Sequence, residues 1–362
     1  MFTTTHRRIL VAPLDWGLGH TARCVPVIAY LQACGHIPVV ACNPWQRVFI
    51  EKTFGPIEII DLEGYNITYS RLNKYAQAGL LWQMPGILRT IAREHQWLKQ
   101  TVKQHRIDGI ISDNRYGLYH DTLPSVIMTH QLQIQTGFGQ QADRTVQKLH
   151  YRYLARFGAT WVVDTPGTPN LGGKLSHPHA LPGNGLYMGL LSRFAGKAVG
   201  KETDTILILL SGPEPQRGQL SRLLWQQACA LGREVVFVEG SINADVPAHI
   251  PPHITYHQQL AGDALLPLLQ GAGMVICRSG YSTLMDLAAL GKKAIVIPTP
   301  GQTEQAYLGR YLHEQGVFYC AQQKKFDLAR SLATAEDFPF HALLVDGAFG
   351  FYKSVVDEWV KM

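Results

Sequence analysis

No cysteine pair with C-x-x-C spacing occurs among the six, which are Cys24, Cys34, Cys42, Cys229, Cys277 and Cys320. Their spacing excludes zinc ribbons and thioredoxin-type redox pairs. Three lie in or beside apolar patterns and read as buried free thiols in a reducing cytosol. The 15 histidines contain no H-E-x-x-H, which excludes that type of zinc-hydrolase helix. No apolar run approaches the roughly 18 residues a transmembrane helix needs. The start, Met1 to Trp16, sets charges before only a short apolar run and does not read as a signal peptide. A cytoplasmic protein is therefore expected. There is no repeat of roughly 20 to 50 residues, no low-complexity segment, no dense Lys/Arg run and no nucleic-acid motif, so no nucleic-acid partner is expected.

What the chain does have is 362 residues, enough for two ordinary domains. Its 46% hydrophobic and 17% charged content is that of a soluble globular protein. The net charge of +6 is unevenly placed. Residues 1–190 hold 18 Lys and Arg against 11 Asp and Glu, whereas residues 191–362 hold 15 against 16. The basic half can attract anionic lipid or phosphorylated substrates.

The stretch from Gly273 to Gln305 reads as strand, tight turn, helix, strand and polar loop. Met274–Cys277 has the apolar run of a buried parallel strand. Arg278-Ser279-Gly280 is the turn. Ser282 or Thr283 can cap a helix that runs to about Leu290 and stops at Gly291. The N–H groups at such a helix start, after a Gly turn, make a phosphate site. Asp286, four residues after Ser282, can accept hydrogen bonds from a ribose diol. Gln302, Glu304 and Gln305 offer donors and acceptors for sugar hydroxyls. The same pattern also fits an ordinary βα turn in which Asp286 only complements the positive helix end.

The chain opens with a buried strand, Ile9 to Pro13, followed by Asp15-Trp16-Gly17-Leu18-Gly19-His20 and a helix from about Thr21. Gly17, Gly19 and Ala22 satisfy G-x-G-x-x-[GA], so a dinucleotide enzyme is a rival reading. The end of strand two, Cys42-Asn43-Pro44-Trp45, lacks the ribose-binding acid such a site needs, which counts against NAD. Strands near Ile107–Ser112 and Ser125–Thr129 end at Asp113 and His130. Ligands bind past the C-terminal ends of strands in open α/β sheets, so both are candidates for the acceptor side of a site. Each could equally be a cap or loop hydrogen bond. The segment around Leu80–Leu88 sets apolar residues beside Arg71, Lys74, Arg89, Arg93, Lys99 and Lys103. It reads either as a helix packed on the sheet with a solvated basic face or as a membrane-surface element.

Two stretches resemble MurG-type family-28 glycosyltransferases, which have the GT-B fold. Arg278-Ser279-Gly280, Thr283, Asp286 and Glu304-Gln305 match the family's R-S-G-x-x-[ST] turn, acidic helix residue and [EQ]-Q loop. Asp286 stands where the relatives usually have Glu, and Leu308-Gly309 where Asn-Ala often follows. Gly17-Leu18-Gly19-His20 resembles the family's G-x-G-H loop, one glycine short of its fuller form. The resemblance implies an α/β protein of two Rossmann-like domains facing across a cleft. The expected division is 1–198 for the acceptor domain and 199–345 for the nucleotide-sugar domain. Residues 346–362, with the stripe Tyr352, Val355, Val356 and Trp359, are expected to form a helix crossing back to the first domain. Ser211, Gly212 and Arg217 stand where the relatives have a phosphate loop.

The activity so implied is inverting transfer of a hexose, with N-acetylglucosamine favoured, from a UDP-sugar to an acceptor hydroxyl. The resemblance points to a lipid-linked or cell-envelope acceptor and to contact of the basic half with the membrane's inner face. No cofactor is expected. Asp61-Leu62-Glu63 and Glu202-Thr203-Asp204 are the nearest approaches to a metal-holding D-x-D, so no metal is expected either, and Arg278 is a candidate to meet the diphosphate charge. His20 is the expected general base, Asp15 its expected orienting partner and Asp113 the alternative base. His20 could instead only bind the diphosphate. Two rival functions remain: a nucleotide-sugar hydrolase or 2-epimerase of the same fold, and a non-catalytic sugar-nucleotide or lipid-binding module.

Overall fold

The computed structural model describes residues 6–65, 76–134, 136, 139–198, 200–241, 243–260, 262–343 and 347–362. Arg71 and Lys74, and the side chains of residues 80–83, lie outside the described residues. The chain divides into two compact units, residues 1–193 with 345–362, and residues 194–344.

The first unit carries a parallel sheet in the order β3-β2-β1-β4-β5-β6-β7 among the described residues. Its strands are β1 (Arg8–Pro13), β2 (Ile37–Cys42), β3 (Glu58–Asp61), β4 (Gly109–Asp113), β5 (Ser125–Thr129), β6 (Ala159–Val162) and β7 (Gly185–Tyr187). The central strands are near-continuous apolar runs because both faces are covered; Leu10, Val11 and Ala12 are fully buried. The helices are α1 (Leu18–Ala33), α2 (Pro44–Phe54), α3 (Ala76–His105) and α4 (Gln140–Leu154). The order reverses between β1 and β4, and in register Pro13 pairs with Asp113. That is the switch point at which open α/β sheets bind ligands.

Local sequence explains how α2 is placed. Asn43 accepts from the Gln46 N–H at 3.0 Å, and the Gln46 side chain accepts from the Asn43 N–H at 3.2 Å. This capping box satisfies two helix-start donors. The buried Gln46 amide also donates to Leu14 O at 3.0 Å and to Thr21 Oγ1 at 2.9 Å, which ties α2 to the β1–α1 loop. On α3, Ile91, Glu94 and Leu98 are buried while Arg89, Arg93, Lys99 and Lys103 are exposed. This segment is thus a helix packed on the unit with a solvated basic face.

The C-terminal helix α10 (Tyr352–Val360) belongs to this unit. Tyr352, Val355, Val356 and Trp359 are its buried face. Trp359 meets Trp161 edge-on at 5.5 Å, and Tyr352 meets Tyr30 at 5.9 Å. The Tyr30 hydroxyl donates to the Asp357 carboxylate at 2.8 Å. A Cβ at Gly109 would come within 2.8 Å of the Trp359 ring, so β4 needs glycine there.

The second unit has a parallel sheet in the order β10-β9-β8-β11-β12-β13 among the described residues. It contains β8 (Ile206–Leu209), α5 (Gln216–Cys229), β9 (Val235–Val238), β10 (Ile254–His257), α6 (Leu265–Gly271), β11 (Met274–Cys277), α7 (Tyr281–Ala289), β12 (Ala294–Val296), α8 (Thr303–Glu314), β13 (Tyr319–Cys320) and α9 (Leu328–Glu336). Its order reverses between β8 and β11, so the starts of α5 and α7 flank that switch point. Ile206, Ile208, Phe237, Ile276 and Ile295 fill the core beneath α5 and α9. Among the described residues of the chain, no helix is long and apolar enough to cross a membrane.

Candidate active site

In the first unit the site forms around the start of α1. Gly17, with φ of 102°, turns the chain from β1 into the helix, a conformation that favours glycine. The helix begins at Leu18, not near Thr21, so Gly19 and His20 lie in its first turn. His20 Nδ1 lies 2.9 Å from Asp113 Oδ2. Arg23, one turn along, donates from Nε to Asp113 Oδ1 at 2.8 Å and from Nη2 to the same oxygen. Its Nη1 lies 2.9 Å from His130 Nδ1, and its Nη2 lies 2.9 Å from His20 Nδ1. Asn114, with its amide oxygen turned to Arg23, accepts from Nη2 at 3.0 Å and donates to Thr129 Oγ1 at 2.9 Å.

Three sequence expectations are corrected here. Asp15 does not orient His20: its Oδ1 accepts from the Tyr65 N–H at 3.1 Å and holds the loop after β3. His20, in the first turn of α1, instead meets Asp113 at the end of β4. Asp113 is not placed to act as the base, because its carboxylate is fully buried and committed to Arg23 and His20. His130 is 5% exposed and backs Arg23, so it is not a surface for an acceptor. Of His20, Arg23 and Asp113, only His20 reaches solvent, with 16% of its side chain exposed against 1% for Arg23 and none for Asp113.

The electrostatics follow from this arrangement. Burial, and then the Arg23 charge, pull the His20 imidazole below its usual 6.5 against the opposing pull of Asp113. Burial alone would raise the Asp113 carboxyl, but Arg23 and His20 outweigh it and hold it below the usual carboxylate range. At neutral pH the group is a neutral imidazole on an ionised, clamped carboxylate. Such an imidazole can take a proton, and the carboxylate can stabilise the charge that forms.

A second buried polar network lies beside it. Arg115 donates to Glu94 Oε1 at 2.7 Å, to Pro13 O at 3.2 Å and to Glu63 O. The Tyr65 hydroxyl donates to Glu94 Oε2 at 2.7 Å. Burial pushes the Glu94 carboxyl up, against the pull of Arg115. The network joins the ends of β1 and β4, the strands on either side of the His20–Asp113 contact. Sequence reading missed Arg23, Glu94, Arg115 and Tyr65. Signals existed for two of them: Arg23 stands three residues from His20 on one helix face, and Glu94 interrupts the apolar stripe of Ile91 and Leu98.

In the second unit, Gly280 precedes α7 and forms no side-chain cap, so neither Ser282 nor Thr283 is the N-cap. Ser282, Thr283 and Asp286 lie half-buried on α7. Gln302 caps α8, and Glu304 and Gln305 sit in its first turn, not in a loop. Ser279 is buried and donates to Gln305 O at 2.9 Å, while Gln305 Oε1 accepts from the Thr299 N–H at 2.9 Å. These bonds join the β11–α7 turn to the start of α8. Ser211 and Gly212 are exposed after β8.

Both arginines expected to face the donor turn inward. Arg278 is 2% exposed and donates to Ile297 O and Pro298 O at 3.2 Å, to Gln323 Oε1 at 2.8 Å and to Gln216 O at 2.9 Å. Burial pushes it down to about 10. It is a brace between α5 and β12, and contrary to expectation its guanidinium does not face a diphosphate at the β11–α7 turn. Arg217 donates to Glu239 and Glu214 and is likewise buried; lying in the first turn of α5, it is pulled beneath the loop it was expected to extend.

Comparison with known proteins places this architecture. Residues 253–337 match the Glycosyltransferase family 28 C-terminal domain, over the stretch that holds Arg278 to Gln305. Over 133 residues the chain is 31% identical to a UDP-N-acetylglucosamine–N-acetylmuramyl-(pentapeptide) pyrophosphoryl-undecaprenol N-acetylglucosamine transferase of Gloeothece citriformis (strain PCC 7424), covering 34% of this chain and 35% of that one. A protein of the same name from Desulforudis audaxviator (strain MP104C) is 49% identical over 51 residues, 14% of each chain. The chain thus matches about a third or less of the length of these curated relatives. Among solved structures, the glycotransferase of kitacinnamycin superposes with a TM-score of 0.69 at 14% identity, covering 98% of this chain and 99% of that one. SnogD from Streptomyces nogalater gives 0.62 at 17%, covering 99% and 95%. MurG of Acinetobacter baumannii gives 0.56 at 15%, covering 99% and 100%. The shared fold is GT-B, with two parallel-sheet α/β units.

Proposed function

We propose that this chain, whose residues 253–337 match the glycosyltransferase family 28 C-terminal domain, is a glycosyltransferase with a UDP-sugar donor and inverting chemistry. The observation that carries the reading is the 2.9 Å contact between His20 and the buried Asp113. In the proposed step, Nε2 of His20 takes the proton of the acceptor hydroxyl. The acceptor oxygen bonds to the anomeric carbon as the bond from that carbon to the UDP oxygen breaks, and UDP leaves with the electron pair. Asp113 stabilises the imidazolium so formed. The start of α7 receives the diphosphate on its N–H groups, with Ser282 and Thr283 beside it, Asp286 on the ribose, and Gln302 and Glu304 on the sugar. Gly17, Gly19 and Gly212, with no side chain, let backbone approach the donor closely, and the Ser211 hydroxyl offers it a hydrogen bond.

The names of the curated relatives supply the finer reading. Their donor is UDP-N-acetylglucosamine and their acceptor is carried on pyrophosphoryl-undecaprenol. We extend both to this chain, with the basic face of α3 toward an anionic membrane at the cytoplasmic side, and with no divalent cation needed. The test is a thermal-shift panel of UDP and UDP-sugars with and without EDTA, followed by turnover with and without a lipid-linked acceptor. A ligand that binds the folded state raises Tm by mass action. UDP should do so equally in EDTA, and release of UDP should require the acceptor. Rapid turnover without acceptor would move the reading to a hydrolase or epimerase. Tight UDP binding with no turnover in any acceptor screen would make the chain a binding module.

A further inference from the structure

Resting on the reading of His20 as the base, we propose that Arg23 is its positioning residue. The Arg23 guanidinium fixes one hydrogen on Nδ1 of His20 and one on Nε2 of His130, which leaves Nε2 of His20 as the lone pair offered to an acceptor.

The assignment follows from donors and acceptors. A guanidinium only donates and an ionised carboxylate only accepts. His130 Nδ1 lies 2.9 Å from Arg23 Nη1. It must accept there, so the hydrogen of a neutral His130 is on Nε2. His20 Nδ1 faces two neighbours of opposite kind, Asp113 Oδ2 and Arg23 Nη2. Nη2 has two hydrogens, and two oxygens are within reach, Asp113 Oδ1 and the Asn114 amide oxygen. With both hydrogens so used, Nδ1 of His20 is free to donate to Asp113 Oδ2. Among the described residues, no donor other than His20 serves Oδ2 of Asp113. This arrangement gives both Asp113 oxygens and the Asn114 oxygen a donor, leaves Arg23 Nη2 and His20 Nδ1 side by side as two donors, and is the one that frees Nε2 of His20.

Charge supports the same assignment. The groups facing His20 are Arg23 on its own helix, Asp113 at the end of β4 and His130 after β5. The Cys24 thiol, near Asp113 and Arg23, is pushed up by burial and stays neutral. Without Arg23, the buried Asp113 would be left with His20 as its counter-charge and would draw it into the imidazolium form, which cannot act as a base. Arg23 meets that charge first, so His20 keeps its lone pair.

The experiment uses the full chain without ligands, labelled with ¹⁵N-histidine, and reads the ring nitrogens by long-range ¹H–¹⁵N correlation across a pH series. In the native protein His20 should carry its hydrogen on Nδ1 and His130 on Nε2. In Arg23→Met the His20 titration midpoint should rise by about one pH unit or more, with the His130 hydrogen shared between both nitrogens. If Arg23→Met does not fold, Arg23→Lys is read in its place. Its ammonium keeps the charge but, as a single point donor, cannot serve Asp113, His130 and Asn114 in one plane, so His130 should lose its single tautomer. Opposite tautomers in the native protein, or unchanged tautomers and midpoints in the folded variant, would overturn the proposal. No substrate enters the measurement, so its result is separate from whether His20 proves to be a base in turnover.

Discussion

Asp113, the last residue of β4, holds its carboxylate 2.9 Å from the imidazole of His20, in the first turn of α1 and 93 positions earlier in the chain. The contact exists because β4 lies beside β1 and not after β3 in the sheet. The parallel register places Asp113 level with Pro13, where the chain turns toward α1. A buried acid, a clamped cation and a half-shielded imidazole thus meet at the reversal of strand order.

Asp113→Asn should lower turnover by about a hundredfold or more, because a neutral amide neither stabilises the imidazolium nor fixes the hydrogen on Nδ1. It should also cost stability, about 3–5 kcal/mol, since the Arg23 charge would be buried without its carboxylate. Steady-state rates on folded protein, with denaturant unfolding in parallel, separate the two effects. Turnover within a few-fold of native would show that Asp113 is structural only.

His150 sets a pH dependence of stability that is independent of catalysis. It lies on α4 against the Tyr116 hydroxyl at 3.2 Å, and burial pushes its imidazole down to about 4. The unfolded chain takes up this proton near 6.5 and the folded one does not until about 4. The unfolded state therefore binds more protons across that window, and stability falls as pH drops through it. Two to three pH units at about 1.4 kcal/mol each amount to about 3 kcal/mol. Denaturation midpoints measured from pH 7 to 4 should show this loss, and His150→Phe should remove most of it.

Trp359→Ala should destabilise the first unit by about 3–5 kcal/mol, as a large buried ring is lost from a packed site. Trp359 is 5% exposed and packs on Trp161 and over Gly109. Thermal unfolding checks this; a Tm shift below about 2 °C would mean that α10 contributes little to the fold.

Asp286→Ala should weaken UDP and UDP-sugars together, by about 1.5–3 kcal/mol for a charged acceptor removed from a ribose diol. Calorimetric titration of both ligands reads the change. Unaltered affinity with slightly lower stability would leave Asp286 as a helix residue without a ligand.

The sheets were largely legible because a parallel strand buried on both faces is an apolar run bounded by turn residues, as Met274–Cys277 and Ser125–Thr129 are. Helix starts were harder. Expecting α1 near Thr21 and a loop at Glu304-Gln305 misplaced both first turns, because Gly17 and Gln302 do the capping without a side-chain bond that sequence can advertise. In the site, His20 was found from its glycine turn, and Asp113 and His130 from the strand ends. Their pairing was not, since it depends on which strands are neighbours. The same blindness made Arg278 and Arg217 look like ligands. A cation beside a glycine turn reads the same whether it faces a phosphate or, as here, bonds backward to carbonyls and carboxylates beneath the turn. Arg23 belongs to no motif and was missed, although its distance from His20 is a helical neighbour's.

The central claim is that His20 is the base, and the kinetics of His20→Ala at saturating UDP-sugar test it most directly. Native turnover should decline with falling pH below 6.5, as the imidazole, held below its usual value by burial and Arg23, takes up its proton. The variant should lose about a hundredfold or more in kcat, keep its affinity for UDP, and lose that acidic limb. Near-native kcat with collapsed donor binding would contradict the account and make His20 a phosphate ligand.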